Sequence, residues 1–195
     1  MTPRPEPIVV DVPDRASWRA WLAKHHTTSR GCWLLVSRVV SSVPSPTYEE
    51  AVEEALCFGW IDGRMQPLDD QRFRQHFAPR RRGGTWARSN RERVARLEAD
   101  GLMTDAGWRV IDAAKADGTW SALDDIEALV VPEDLLAALA DNPTAEAAFK
   151  AFNPSVQRAY LWWIKSAKRP ETRQQRIEDT VWLAERDIRE PRRRR

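Results

Sequence analysis

Prolines and capping residues divide this chain into two regimes that meet near residue 80. From Thr85 onward the apolar residues recur at helical spacing. Trp86, Asn90, Val94 and Leu97 share one stripe that Gly101 ends; Thr104 caps a second helix carrying Trp108, Ile111 and Ala114, closed by Gly118. Pro132, Pro143, Pro154 and Pro170 then each take a first helical position, where the missing N–H is no loss and the fixed φ already suits the helix. Further stripes run through Val156, Tyr160, Trp163 and Ile164, and through Ile177, Val181, Ala184 and Ile188. Such stripes need a partner surface, so the stretch from Pro132 to Arg189 is expected to pack as a separate helical layer.

Upstream the pattern favours strands. Ile8 to Val12 reads as a strand stopped by Pro13, and Asp14 caps a helix with Trp18, Trp21 and Leu22 on its apolar side. Cys32 to Val40 is a continuous β-favouring run, as in a strand buried on both faces. Thr47 to Glu50 forms a capping box, opening a helix with Tyr48, Ala51, Val52, Ala55 and Leu56 on one face. Glu49, Glu50, Glu53 and Glu54 occupy the other, which reads as solvated, since no histidine or aspartate shares the stripe to make a metal site. Phe58 to Ile61 is the next strand, with Asp62-Gly63 as a two-residue hairpin turn and Arg64 to Leu68 returning, made irregular by Pro67. After a turn at Asp69-Asp70, Gln71 to Phe77 places Phe73 and Phe77 on one face and Arg72, Arg74 and His76 on the other. The expected fold is α+β: an antiparallel sheet of about four or five strands with flanking helices over residues 1–125, a helical domain over 126–190, and a disordered basic tail over 191–195.

Charge bounds the partners. Thirty-one Lys and Arg against 29 Asp and Glu leave a net charge of +2, so the chain is not basic all over. The cations cluster instead, at Arg72 and Arg74, at Arg80 to Arg82 and at Arg192 to Arg195, which allows a local patch without implying a general affinity for nucleic acid. Cys32 and Cys57 are too few for a disulfide framework. Met1 to Val12 lacks a signal-peptide pattern and no apolar run suffices to span a membrane, so the chain reads as cytoplasmic.

The segment Cys57-Phe58-Gly59-Trp60-Ile61-Asp62-Gly63, followed by Pro79-Arg80, Trp86 and Asn90, resembles the YdeI/OmpD-associated family of bacteriocin-protection proteins. Trp18 to Leu22 and the Trp33 strand are similar to its N-terminal part. Trp163-Ile164, Ala167-Lys168, Glu171 to Arg173 and Arg176-Ile177 are similar to its helical tail, so that the resemblance extends over most of the chain. It implies a YjbR/CyaY-like N-terminal half and a role in protection, but no catalytic residues. CyaY-like proteins bind iron through acidic ridges, which the glutamates of the Thr47 helix could imitate.

No catalytic, metal or cofactor motif is present: His25, His26 and His76 lack ligand spacing, Ser89 has no nucleophile elbow, and Gly83-Gly84-Thr85 lacks the rest of a phosphate loop. The candidate ligand-binding residues are Trp60, Asp62, Arg80, Thr85, Trp86 and Asn90. In this reading Thr85 begins a helix, Trp86 and Asn90 share its first turns, and Arg80 reaches its N-terminus across two glycines, favouring an anionic small molecule or peptide. Alternatively, Asp62 pairs with Arg80 and the tryptophans fill the core. A nucleic-acid-binding role for the clustered arginines is the competing function.

Overall fold

The computed structural model describes Ile8–Arg193. Strands β1 (Ile8–Val10) and β2 (Cys32–Ser37) are joined through helix α1 (Arg15–His25). The helical crossover returns the chain to the end from which it left, so the two strands run parallel, with Val9 opposite Trp33. Helix α2 (Tyr48–Cys57) leads to β3 (Trp60–Pro67), and a tight turn leads on to β4 (Arg72–Pro79). β4 pairs antiparallel with both β2 and β3, giving the order β1-β2-β4-β3. The four-stranded sheet is therefore mixed, which corrects the expected antiparallel sheet at its β1 edge while the α+β class stands.

The expected hairpin at Asp62-Gly63 is also corrected. Both residues lie inside β3, where the register shifts between Asp62 and Met65. The reversal comes at Asp69, whose carboxylate accepts from the N–H groups of Gln71 and Arg72 at 2.8 and 2.7 Å. Glycine at 63 serves the close approach of His76, whose Nδ1 would stand 3.3 Å from a Cβ there.

Trp18, Leu22, Cys32, Leu34, Val36, Ala51, Val52, Leu56, Trp60 and Phe77 form the core between the sheet and helices α1 and α2. The capping box at Thr47 is present, its hydroxyl accepting from the Glu50 N–H while the Glu50 carboxylate accepts from the Thr47 N–H. The glutamate face of α2, expected to be solvated, is so only in part: Glu49 is exposed, but Glu53 and Glu54 turn inward. Glu54 is buried and accepts from Arg15 and Arg19, each at 2.6 Å, and Glu53 accepts from Arg15 and Arg96. Glu49 takes a two-pronged contact from Arg93.

Two further helices complete this part, α3 (Arg88–Ala99) and α4 (Asp105–Ala116). α4 begins hard against the end of α2: Thr104 donates its hydroxyl to the Cys57 carbonyl at 2.6 Å, and a Cβ on Gly107 would stand 2.4 Å from that same oxygen. Gly59, at φ +73°, takes the left-handed turn out of α2 beneath Val110.

The chain divides into two compact units, residues 1–122 and 123–195. The second contains α5 (Asp124–Glu127), α6 (Glu133–Ala140), α7 (Pro143–Ala151), α8 (Pro154–Lys165) and α9 (Pro170–Glu185), and no strand among its described residues. Leu135, Leu139, Phe149, Tyr160, Ile164, Ile177 and Leu183 form its core. Pro143, Pro154 and Pro170 open their helices as expected, with Asn142 and Asn153 as side-chain caps, whereas Pro132 sits one residue earlier as the cap of α6. Of the expected tail, Arg194 and Arg195 lie outside the described residues, and 191–193 adopt no regular structure.

Candidate functional site

β4 delivers Arg80 to a corner of the first unit. Its backbone N–H donates to the Gly59 carbonyl at 3.0 Å, adding one bond beyond the last strand residue. The chain then turns through Gly83, which has φ +76°. The Arg80 guanidinium lies 3.8 Å from the centre of the Trp86 ring and donates through Nη2 to the Thr85 carbonyl at 2.9 Å. Trp86 is buried, its ring 4.9 Å from that of Trp120 and its N–H bonded to the Thr119 carbonyl.

Between this loop and α4 lies a pocket of about 160 Å³. Arg80, Arg81, Arg82 and the two glycines form one side; Arg109, Val110 and Ala113 of α4, with Asp117 and Thr119 beyond it, form the other. Burial pushes the Arg80 guanidinium down to about 10, with the attraction of Asp62 acting in the opposite direction, so the group remains cationic at neutral pH. Among the described residues its guanidinium forms no ion pair. Asp117 is the pocket's carboxylate, held below its ordinary value first by the Thr119 side-chain hydrogen bond and then by the Thr119 N–H. Four arginines and one aspartate thus line the pocket.

The six candidate residues are only partly brought together. Arg80 and Trp86 meet at the pocket, and Thr85 contributes the carbonyl that holds Arg80. Thr85 does not open a helix: α3 begins at Arg88, and its cap residue Ala87 makes no side-chain hydrogen bond. Trp86 therefore leaves the expected helical stripe, because its ring is drawn between Arg80 and Trp120 while its N–H serves Thr119. Asn90 turns to Arg93, accepting from Nη1 at 2.9 Å. Trp60 is sealed in the core, its indole N–H donating to the His26 carbonyl at 3.2 Å. Asp62 accepts from the Tyr48 hydroxyl at 2.8 Å in place of the ion pair with Arg80. Arg109 and Ala113 of α4 and Asp117 just past its end were not among the expected residues; their spacing at i, i+4 and i+8 is the signal that groups them on one side.

The thiols offer no nucleophile here, since burial pushes Cys32 up to about 12 and Cys57 up to about 11. Among the described residues no group of three or more His, Cys, Asp or Glu is arranged to hold a metal ion, and no helix is long and apolar enough to cross a membrane.

By fold and site this is an α+β module with an arginine-rich pocket, carried on a chain that continues into a helical unit. Residues 10–110, just over half of its length, match the family described as Domain of unknown function (DUF8412), and the chain belongs to that family. Residues 128–187 match a second family, described as Bacteriocin-protection, YdeI or OmpD-Associated. The YdeI/OmpD likeness, expected over most of the chain, is thus found in its helical part. No curated protein and no solved structure matches the chain.

Proposed function

We propose that the first unit is a binding module for a small anion, such as a phosphate, sulfate or carboxylate compound, and that it acts in the protective role named in the description of the C-terminal family. The observation that carries this reading is Arg80. A partly buried cation ordinarily has a carboxylate partner, because leaving water without one is costly. Here the guanidinium rests on an indole face and a carbonyl, beside a pocket with Arg81, Arg82 and Arg109 around it. A bound anion supplies the missing countercharge, and stacking on Trp86 holds the guanidinium ready for a two-pronged contact.

Thermal unfolding in the presence of phosphate, sulfate and small carboxylates tests the reading. A ligand at a hundred times its dissociation constant adds about 2.7 kcal/mol of stability. Arg80→Ala is expected to lose that response, and Arg109→Ala, an exposed position, to weaken it while leaving the unliganded stability unchanged. A wild type that no anion stabilises, or an Arg80→Ala protein with the full response, overturns it.

A further inference from the structure

The sheet has a second face. The core takes Cys32, Leu34 and Val36 from β2, so Trp33 and Leu35 point the other way. Both are nevertheless buried, at 4% and 8% exposure, without belonging to the core cluster. Arginines cover the indole: the Arg64 guanidinium lies 5.1 Å and that of Arg74 4.9 Å from the Trp33 ring. His76 meets the same ring edge-on at 5.1 Å, in a slot between Gly31 and Gly63 where a Cβ would stand 3.2 or 3.3 Å from its nitrogens.

Two of the three arginines on this face, Arg64 and Arg74, have no carboxylate partner among the described residues. Arg74 has the neutral side chain of Gln66 as its hydrogen-bond partner at 2.8 Å, and Arg64 is exposed and forms no ion pair among the described residues. Arg72 stands two residues from Arg74 on the same strand and is balanced by Asp11 at 3.2 Å and Asp69 at 4.0 Å. Burial first, and the charge of Arg64 second, hold His76 below its ordinary value, so it stays neutral at neutral pH and adds a hydrogen-bonding edge.

We infer that this face binds single-stranded nucleic acid, with Arg64 and Arg74 as the principal contacts and Arg72 extending the track. Arginines pre-set on an indole have little rotamer freedom left to lose and present planar donors to phosphate oxygens. Their outer faces accept stacked bases, which an acidic peptide lacks. Arg72 and Arg74 are about 7 Å apart along the strand, comparable to the step between successive phosphates of a nucleic-acid strand, and stacking on the guanidinium faces requires bases that are not already stacked within a duplex. The site is separate from the Arg80 pocket, whose arginines leave the sheet at the end of β4.

The experiment is fluorescence anisotropy of the full chain with a short labelled single-stranded DNA of mixed sequence, over a salt series. Wild type binds with an affinity that falls steeply as salt rises. Arg64→Gln with Arg74→Gln, which keeps the side-chain stems over Trp33, weakens binding tenfold or more and lowers the salt slope by about one for each arginine removed. Arg80→Ala leaves this binding unchanged, which separates it from the anion pocket. Circular dichroism verifies that the double variant is folded, and Arg64→Lys with Arg74→Lys is the second variant, expected to bind more weakly than wild type because it keeps charge but not planarity. Absence of binding at low salt, retention of affinity by the double glutamine variant, equal binding of the matching duplex, or equal competition by polyglutamate would each overturn the inference.

Discussion

Glu54 is the residue on which the helix layer of the first unit turns. Its carboxylate lies almost wholly out of water and receives Arg15 Nε and Arg19 Nη1 at 2.6 Å each, while Arg19 also donates to the Leu102 carbonyl at 2.8 Å. Glu54→Gln leaves two guanidinium groups facing a neutral amide. Breaking a buried pair costs about 3–5 kcal/mol, and the exposure of both arginines moves this case to the low end, about 3 kcal/mol in urea unfolding. Glu49 tests the opposite limit, because its pair with Arg93 is open to solvent on the carboxylate side and contributes under about 1 kcal/mol. The Arg93 hydrogen bond holds the Glu49 carboxyl below its ordinary 4.5, so its contribution is complete above that pH and disappears as pH falls through the lowered value. Glu49→Gln is therefore less stable than wild type at neutral pH, and the difference vanishes in acid. The spacing of these glutamates along α2 was plain in the sequence, but their partners were not. Arg15, Arg19, Arg93 and Arg96 lie 35 to 47 residues away from the carboxylates they serve, and local periodicity carries no information about what a helix face meets.

At the scale of elements, helix caps such as Thr47 and Thr104 were legible locally, whereas the helix start at Thr85 and the turn at Asp62-Gly63 were not borne out. Thr47, Thr104, Asn142 and Asn153 cap their helices because a cap is a contact within three residues of itself. Asp62-Gly63 has the composition of a hairpin turn, yet the glycine answers to His76 on the neighbouring strand and β3 continues through it with a shift of register. The parallel pairing of β1 follows from the α1 crossover, a consequence of topology that the strand's own residues do not display. The Arg80–Trp86 contact was legible as a cluster, but α4, the wall that turns the cluster into a pocket, enters only through packing. That wall is set by Gly107. A methyl group there would stand 2.4 Å from the Cys57 carbonyl oxygen and 3.0 Å from its carbon, backbone atoms that cannot swing aside. Gly107→Ala is expected to cost about 3 kcal/mol as α4 is pushed outward. Arg109 and Ala113 ride on the same helix, so the anion response should weaken in the same protein, measured by the ligand-dependent shift in unfolding temperature.

For the whole molecule, the two units have separate hydrophobic cores, and the two family matches fall one on each. The residues lining the pocket and those covering the sheet face all come from the first unit. Leu135 makes this testable, because it is fully buried in the second core on α6. Leu135→Ala removes buried methyl groups and leaves a cavity, at an expected cost of about 3 kcal/mol to the helical unit. The tryptophans report on the units unequally: Trp162, Trp163 and Trp182 lie in the second, and the other seven of the ten in the first. Far-ultraviolet circular dichroism, which follows the helices of both units, should show an additional, earlier transition in Leu135→Ala. Tryptophan emission, dominated by the first unit, should keep its anion-dependent shift. Were the anion response to disappear with Leu135→Ala, the helical unit would be part of the binding site and the assignment of the pocket to residues 1–122 would fail.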